Sequence, residues 1–296
     1  MEDGLRNRRR GTISNMPLIE DYELPPWYQR TQLITSGYRN PNNFSTPLAC
    51  MKSAFMWHNE TLNIHTHLWM GIFMPLLLYL SVKDESFENT SIYYKTTVIV
   101  GFLGPAIMGF ASAFAHTFYI INKDWFDISW KMDIVGIVAV LFAHYLAVSY
   151  FIFYLLLNTL YGYYISVIIG ATSGLLCTYK VFADIKNLEI YAIIYGFIGS
   201  VPLPLTLVYY AYFSPYTYGI DKIIIQSVAN QSLGCSACCG VACFVFFLGK
   251  IPERFLPSFP IKSHTFHHIF INLGVFSALY MIPHVHRIDR EKLILA

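Results

Sequence analysis

The stretch Asp133–Thr178, DIVGIVAVLFAHYLAVSYFIFYLLLNTLYGYYISVIIGATSGLLCT, contains no Lys, Arg, Asp or Glu after its first residue. A helix crossing a bilayer needs about 20 mostly apolar residues. The run is too long for one crossing and long enough for two, and a break near Leu155–Thr159 divides it into Asp133–Tyr154 and Leu160–Thr178. In lipid only helices and closed barrels satisfy the backbone, and apolar runs of this length exceed the ~9–11 residues of a barrel strand. Working outward, further runs lie at Ile64–Val82, Thr97–Ile121, Ile190–Phe213, Ile225–Leu248 and His264–Ile282. The predicted fold is an all-α integral membrane protein, a seven-transmembrane helix bundle over residues 61–283. Pro75, Pro105, Pro202 and Pro204 fall inside spans, where kinks are tolerated.

Composition agrees. Charged residues make up 13% of the 296, about half the share of a soluble domain. The hydrophobic share of 55% excludes a disordered chain. A net charge of +2 offers no field for nucleic acid. Arg6, Arg8, Arg9 and Arg10 are followed by no apolar run, so no secretory signal peptide is expected. Residues 1–32 read as a disordered cytosolic tail, 33–60 as a juxtamembrane segment with an amphipathic helix near 47–60, and 284–296 as a short extracellular or lumenal tail. Of the 20 Lys and Arg, fourteen lie on the N-terminal side of the spans and six on the other. The positive-inside rule therefore predicts a cytosolic N-terminus and an extracellular or lumenal C-terminus, opposite to a G-protein-coupled receptor.

Ionisable groups at membrane depth are functional candidates, and the predicted topology gathers several at one level. His116 lies near the cytosolic end of the second span, Asp133 opens the third, and His264, His267 and His268 open the seventh. His264 and His268 are i,i+4 and share a helical face, the spacing with which a helix offers two imidazoles to one metal. With His116 as a third ligand and one open position, the set describes a catalytic zinc site. Ser112 lies one turn deeper on the face of His116. Asp133 is placed to orient or activate a metal-held water. The plainer reading has interfacial histidines bonding headgroups and Asp133 solvated before its helix; the convergence of three helices favours the metal. His267 reads as a flanking residue. His65 and His67, two apart, do not chelate together. His144 shares Asp133's face about 16 Å deeper and reads as a hydrogen-bonded core residue. His284 and His286 read as solvated. Cys235, Cys238 and Cys239 mimic a Cys-x-x-Cys signature, but with Gly234, Ser236, Ala237 and Gly240 beside them they read as a close-packing surface.

Five segments together resemble the progestin and adipoQ receptor (PAQR) family. They are Gly37-Tyr38-Arg39 with Cys50–Phe55; His58-Asn59-Glu60-Thr61 running on to His65-Thr66-His67-Leu68; Ser112-x-x-x-His116; Lys131-Met132-Asp133 running on to Ile137; and Ile251-Pro252-Glu253-Arg254-Phe255-Leu256-Pro257 with Ser263–His268. The resemblance covers about residues 33–283. The Pro-Glu-Arg-Phe form is nearer the adiponectin-receptor branch. His65 stands where the family has Trp, and Ser258–Lys262 departs from its usual lead into the seventh span.

The resemblance implies zinc (Zn²⁺) bound by His116, His264 and His268, with Asp133 on the metal's water and Ser112 lining the site. It implies an adiponectin-receptor-like membrane receptor, in the plasma membrane or an endomembrane, that hydrolyses lipid amides such as ceramide with a zinc-bound water. The alternative is a non-enzymatic signalling receptor in which zinc is structural. Expected partners are the bilayer, a ceramide-like lipid, an extracellular protein or small-molecule ligand, and a cytosolic adaptor at the N-terminus. A transporter would need a continuous polar path, which the spans do not offer.

Overall fold

The structure, a computed structural model, describes residues 17–28, 33–183, 194, 202–214, 222–256, 261–279, 282 and 286–289. A short helix α1 (Pro47–Ser53) starts where the Thr46 hydroxyl accepts from the Ala49 amide and Pro47 takes the first turn. It leads through a turn into α2 (Thr61–Lys83). After the one-turn α3 (Glu85–Glu88) come α4 (Ile92–Phe118), capped by Ser91, and α5 (Lys123–Ser149), capped by Asn122. The chain continues through α6 (Leu160–Ala183), α7 (Pro202–Tyr212), α8 (Lys222–Val241) and α9 (Ser263–Leu279). Helices α5 and α8 each run on into a π-helical segment, Tyr150–Leu156 and Ala242–Leu248. Among the described residues, five helices are long and apolar enough to cross a membrane: α2, α4, α5 with its π segment, α6, and α8 with its π segment. Helices α7 and α9, shorter within the described residues, fall in the expected fifth and seventh spans. No strand occurs among the described residues.

The expected break in the long apolar run is present. The π segment ends at Leu156, α6 starts at Leu160, and Asn158 between them takes a φ of 50°, which Asn tolerates better than most residues. Two helix starts differ from expectation. Helix α4 begins at Ile92, not Thr97, because Ser91 caps it. Helix α5 begins at Lys123, not Asp133, because the Asn122 side chain accepts from the Trp125 amide at 3.0 Å. A Lys123–Asp127 pair at 2.6 Å sits on its first turns. Asp133 therefore lies well inside α5 instead of at its mouth. Of the fifth span, Ile190–Phe213, only Ile194 and residues 202–213 are described.

Helices α2, α4 and α5 form the most intimate part of the bundle. Where α2 crosses α4, a Cβ on Gly109 would lie 2.4 Å from the Gly71 nitrogen and 2.7 Å from the His67 carbonyl oxygen, so only glycine permits this approach. The α6 residues Ile165, Ile168, Leu175 and Leu176 are exposed, as a lipid-facing surface requires.

Both ends of the bundle are covered by chain. At one, Ile19, Leu24, Tyr28, Tyr38 and Phe44 pack on Tyr119, Ile120 and Phe126. Residues 17–28 thus lie seated on the ends of α4 and α5, within the stretch that reads as a disordered tail; the remainder of that stretch lies outside the described residues. At the other end, Asp289 is buried and accepts from the Ser91 amide (2.7 Å), the Ser91 hydroxyl (2.6 Å) and the Tyr150 hydroxyl. His286, expected to be solvated, packs on Tyr94 with its Nε2 3.2 Å from the Ser86 hydroxyl. His284 lies outside the described residues.

Candidate metal centre

The C-terminal half of α4 carries Ser112 and His116, and the first two turns of α9 carry His264 and His268. One nitrogen from each of His116, His264 and His268 lies within 4.8 Å of the others, a set that can hold one metal ion. His116 Nε2 is 3.2 Å from His264 Nε2. Four ligands at the ~2.0–2.1 Å of a Zn–N bond stand about 3.3 Å apart around a tetrahedral ion, so this pair already has the right separation. His116 and His268 are each 2% exposed, which keeps bulk water from competing for them.

The far nitrogens decide which tautomers face inward. His116 Nδ1 is 2.8 Å from Glu60 Oε2. An ionised carboxylate only accepts, so Nδ1 donates and Nε2 keeps its lone pair. His268 Nδ1 is 3.3 Å from the Thr66 hydroxyl, whose own proton goes to the Leu62 carbonyl at 2.9 Å. His268 Nδ1 must therefore donate, which frees its Nε2 as well. Imidazole ligands are commonly held in this way.

Glu60, buried at the head of α2, is the hub of this support. It accepts from Asn59 (2.6 Å), Asn63 (2.8 Å) and His116. Burial alone would raise its pKa, but the hydrogen bonds from His116, then Asn63, hold the carboxyl below its ordinary value. Asn63 Oδ1 in turn accepts from Thr265 at 2.6 Å, tying α2 to α9. Glu253 supports α9 in a parallel way. Its carboxylate accepts from the Ser263 amide (2.7 Å) and hydroxyl (2.5 Å), capping the helix one residue before His264. Arg39, with no exposed surface, donates to the His116 carbonyl (2.7 Å), the Thr117 carbonyl (2.9 Å) and the Ser53 hydroxyl (2.9 Å). It closes the C-terminus of α4, where a cation is favoured.

A cavity of about 290 Å³ leads away from this cluster between α4, α5, α8 and α9. Ser112, Asp133, His264 and His268 line one end, and Leu279 and Ile282 the other. The Ser112 hydroxyl is buried and has no protein partner. His267 also lines the cavity, but its Nδ1 donates to the Ala242 carbonyl at 3.0 Å, at the start of the π segment of α8; it stands outside the three-nitrogen set. His67 stacks edge-on against His268 with centroids 3.9 Å apart. Gly274 of α9 lies against Cys235, Cys238 and Cys239, so the small-residue face of α8 does pack closely.

Residues 55–279 match the family described as haemolysin-III related. The chain belongs to this family. The haemolysin-III related architecture is a seven-helix membrane protein, which agrees with the seven expected spans. An uncharacterised protein of Schizosaccharomyces pombe is 30% identical over 87% of this chain and 57% of its own length. The adiponectin receptor protein of Drosophila melanogaster is 27% identical over 86% of this chain and 56% of its length. Human membrane progestin receptor gamma is 28% identical over 58% and 52%. The chain spans about half the length of these relatives.

In this haemolysin-III related protein Glu60, Glu253 and Arg39 all fall inside the segments that carry the family resemblance, yet sequence reasoning assigned them no role. Their signal was a charge beside a membrane span with no reason to be solvated. What charge patterning could not show is that each meets a helix terminus or a histidine.

Proposed function

We propose that this chain is an adiponectin-receptor-like membrane protein that binds zinc through His116, His264 and His268 and hydrolyses lipid amides of the ceramide class. The observation that carries this reading is the three imidazole nitrogens within 4.8 Å of one another beside one end of an apolar cavity that is also lined by Asp133 and by Ser112, whose hydroxyl has no partner. The donor set suits zinc, which favours neutral imidazole and leaves a position open in catalytic sites. Zinc bound there supplies Lewis acidity and lowers the pKa of a water it holds toward neutrality.

The chain's own groups do the rest. Apolar walls hold the lipid chains and exclude bulk water from the amide. The Asp133 carboxylate takes the proton from the attacking water and returns it to the amine nitrogen as the C–N bond breaks. The Ser112 hydroxyl donates to the carbonyl oxygen as negative charge develops there. Glu60 and Thr66 hold His116 and His268 in the productive tautomers. The excess of Lys and Arg on the N-terminal side supports a cytosolic N-terminus.

A second reading keeps zinc as a staple in a signalling receptor for an outside ligand, with a cytosolic adaptor at the N-terminus. The ties from Glu60 and Thr66 of the α2 region to His116 of α4 and His268 of α9 favour it. The deciding measurement is fatty-acid release from ceramide by the purified, zinc-loaded protein and by an Asp133→Ala variant that still holds zinc. Release by the first alone supports hydrolysis. No release from either, with zinc retained, supports the staple.

A further inference from the structure

Halfway along the cavity its lining stops being uniformly apolar. His144 projects from α5 into that lining, together with Cys235, Ser236 and Cys239 from α8. His144 is 9% exposed and its Nε2 has no partner. Its Nδ1 lies 3.9 Å from the Cys235 sulfur, a weak contact at most. A neutral imidazole has one donor and one acceptor nitrogen, so in either tautomer Nε2 is an unused hydrogen-bonding group on a residue that lines the middle of the cavity.

An unpaired buried ring nitrogen in apolar surroundings is costly, and a leucine at this site would avoid that cost. The imidazole offsets it only when a hydrogen-bonding group arrives with the cavity's occupant. A second metal is not that occupant: among the described residues the one group of three metal-ligating side chains within reach of one another is the His116 cluster.

We propose that His144 forms a subsite for a hydroxyl group carried partway along the lipid chain that occupies the cavity. This rests on the reading of the cavity as a lipid site. Eleven residues of α5 separate His144 from Asp133, so the subsite lies about 16 Å from the reacting carbonyl. An extended chain with C–C bonds of about 1.5 Å advances about 1.25 Å per carbon, which sets the oxygen about a dozen carbons from the carbonyl.

The test uses the full-length, zinc-loaded protein and two fatty acids of equal length, one plain and one with a hydroxyl about twelve carbons along. Fatty acids need no turnover, so the result does not depend on amidase activity. Affinities are read by displacement of a radiolabelled fatty acid. The hydroxylated acid is expected to bind about 3- to 10-fold tighter, the value of one neutral hydrogen bond. In His144→Leu the preference should vanish while the plain acid binds as well or better. His144→Phe provides a second variant if the first folds poorly, and the wild-type ratio stands without either. Equal binding of both acids to the wild type, or a preference that survives in His144→Leu, overturns the subsite and leaves the lipid reading intact. Failure of both acids to bind the wild type overturns both.

Discussion

The two ends of the bundle each bury a carboxylate, and the two are used differently. Asp289 accepts from Ser91 and Tyr150, and beyond them Ser91 only caps the backbone of α4. Glu60 accepts from Asn59, Asn63 and His116, and the last of these turns a second nitrogen toward two more imidazoles. A closed network holds segments together. An open one also holds a lone pair ready for something else. The difference between a latch and the support of a site therefore lies in what the partner has left over.

The comparison breaks first at the metal. The wild type is expected to carry about one zinc per chain by elemental analysis, and a His116→Ala, His264→Ala, His268→Ala variant close to none. Full retention in the variant would remove the site. Next, the two carboxylates should separate cleanly. Glu60→Gln should weaken zinc binding by about 10- to 100-fold in a chelator competition. Asp289→Asn should leave zinc binding unchanged and cost about 1–3 kcal/mol of stability, because it disturbs a buried acceptor that holds Ser91 and Tyr150. If both variants lowered zinc affinity equally, the distinction between the two ends would fall.

A smaller effect is pH. His58, buried beside the Glu60 hub, donates through Nε2 to the Ser53 carbonyl and accepts the Glu60 amide on Nδ1. Burial, then the charge of Arg39, pushes its pKa down to about 3. Because the folded value lies below the unfolded one, its contribution is full above about pH 6.5 and lost as pH falls from there toward 3. The loss at pH 5 is about 2 kcal/mol, read as a lower Tm at pH 5 than at pH 7. His58→Gln should flatten that dependence.

The smallest expected signal is a silence. The sequon at Asn43 should carry no glycan if the N-terminal side is cytosolic, and a glycosidase-sensitive shift assigned to it would reverse the orientation. Asn59 is a poorer reporter, because its side-chain nitrogen donates to Glu60.

The spans were legible because a bilayer imposes one length and one polarity, and the break after Leu156 fell where an uncharged run had to turn. Their starts were not legible at α4 and α5, where Ser91 and Asn122 extend the helices through residues too polar for hydropathy to include. The His116, His264 and His268 convergence followed from spacing and topology. Glu60 and Glu253 did not, because a carboxylate that aims a histidine or caps a helix carries no periodicity. His144 was placed at the right depth, but its neighbours on α8 depend on how helices distant in sequence rotate against each other.

Arg39 adds a mechanical consequence. It grips the last carbonyls of α4 on the residue that bears the His116 imidazole and on the next. A pull on the segment packed over that end of the bundle is passed through two hydrogen bonds to the peptide planes of His116 and Thr117. The N-terminal strap and the histidine it overlies are thus joined as a lever and its load.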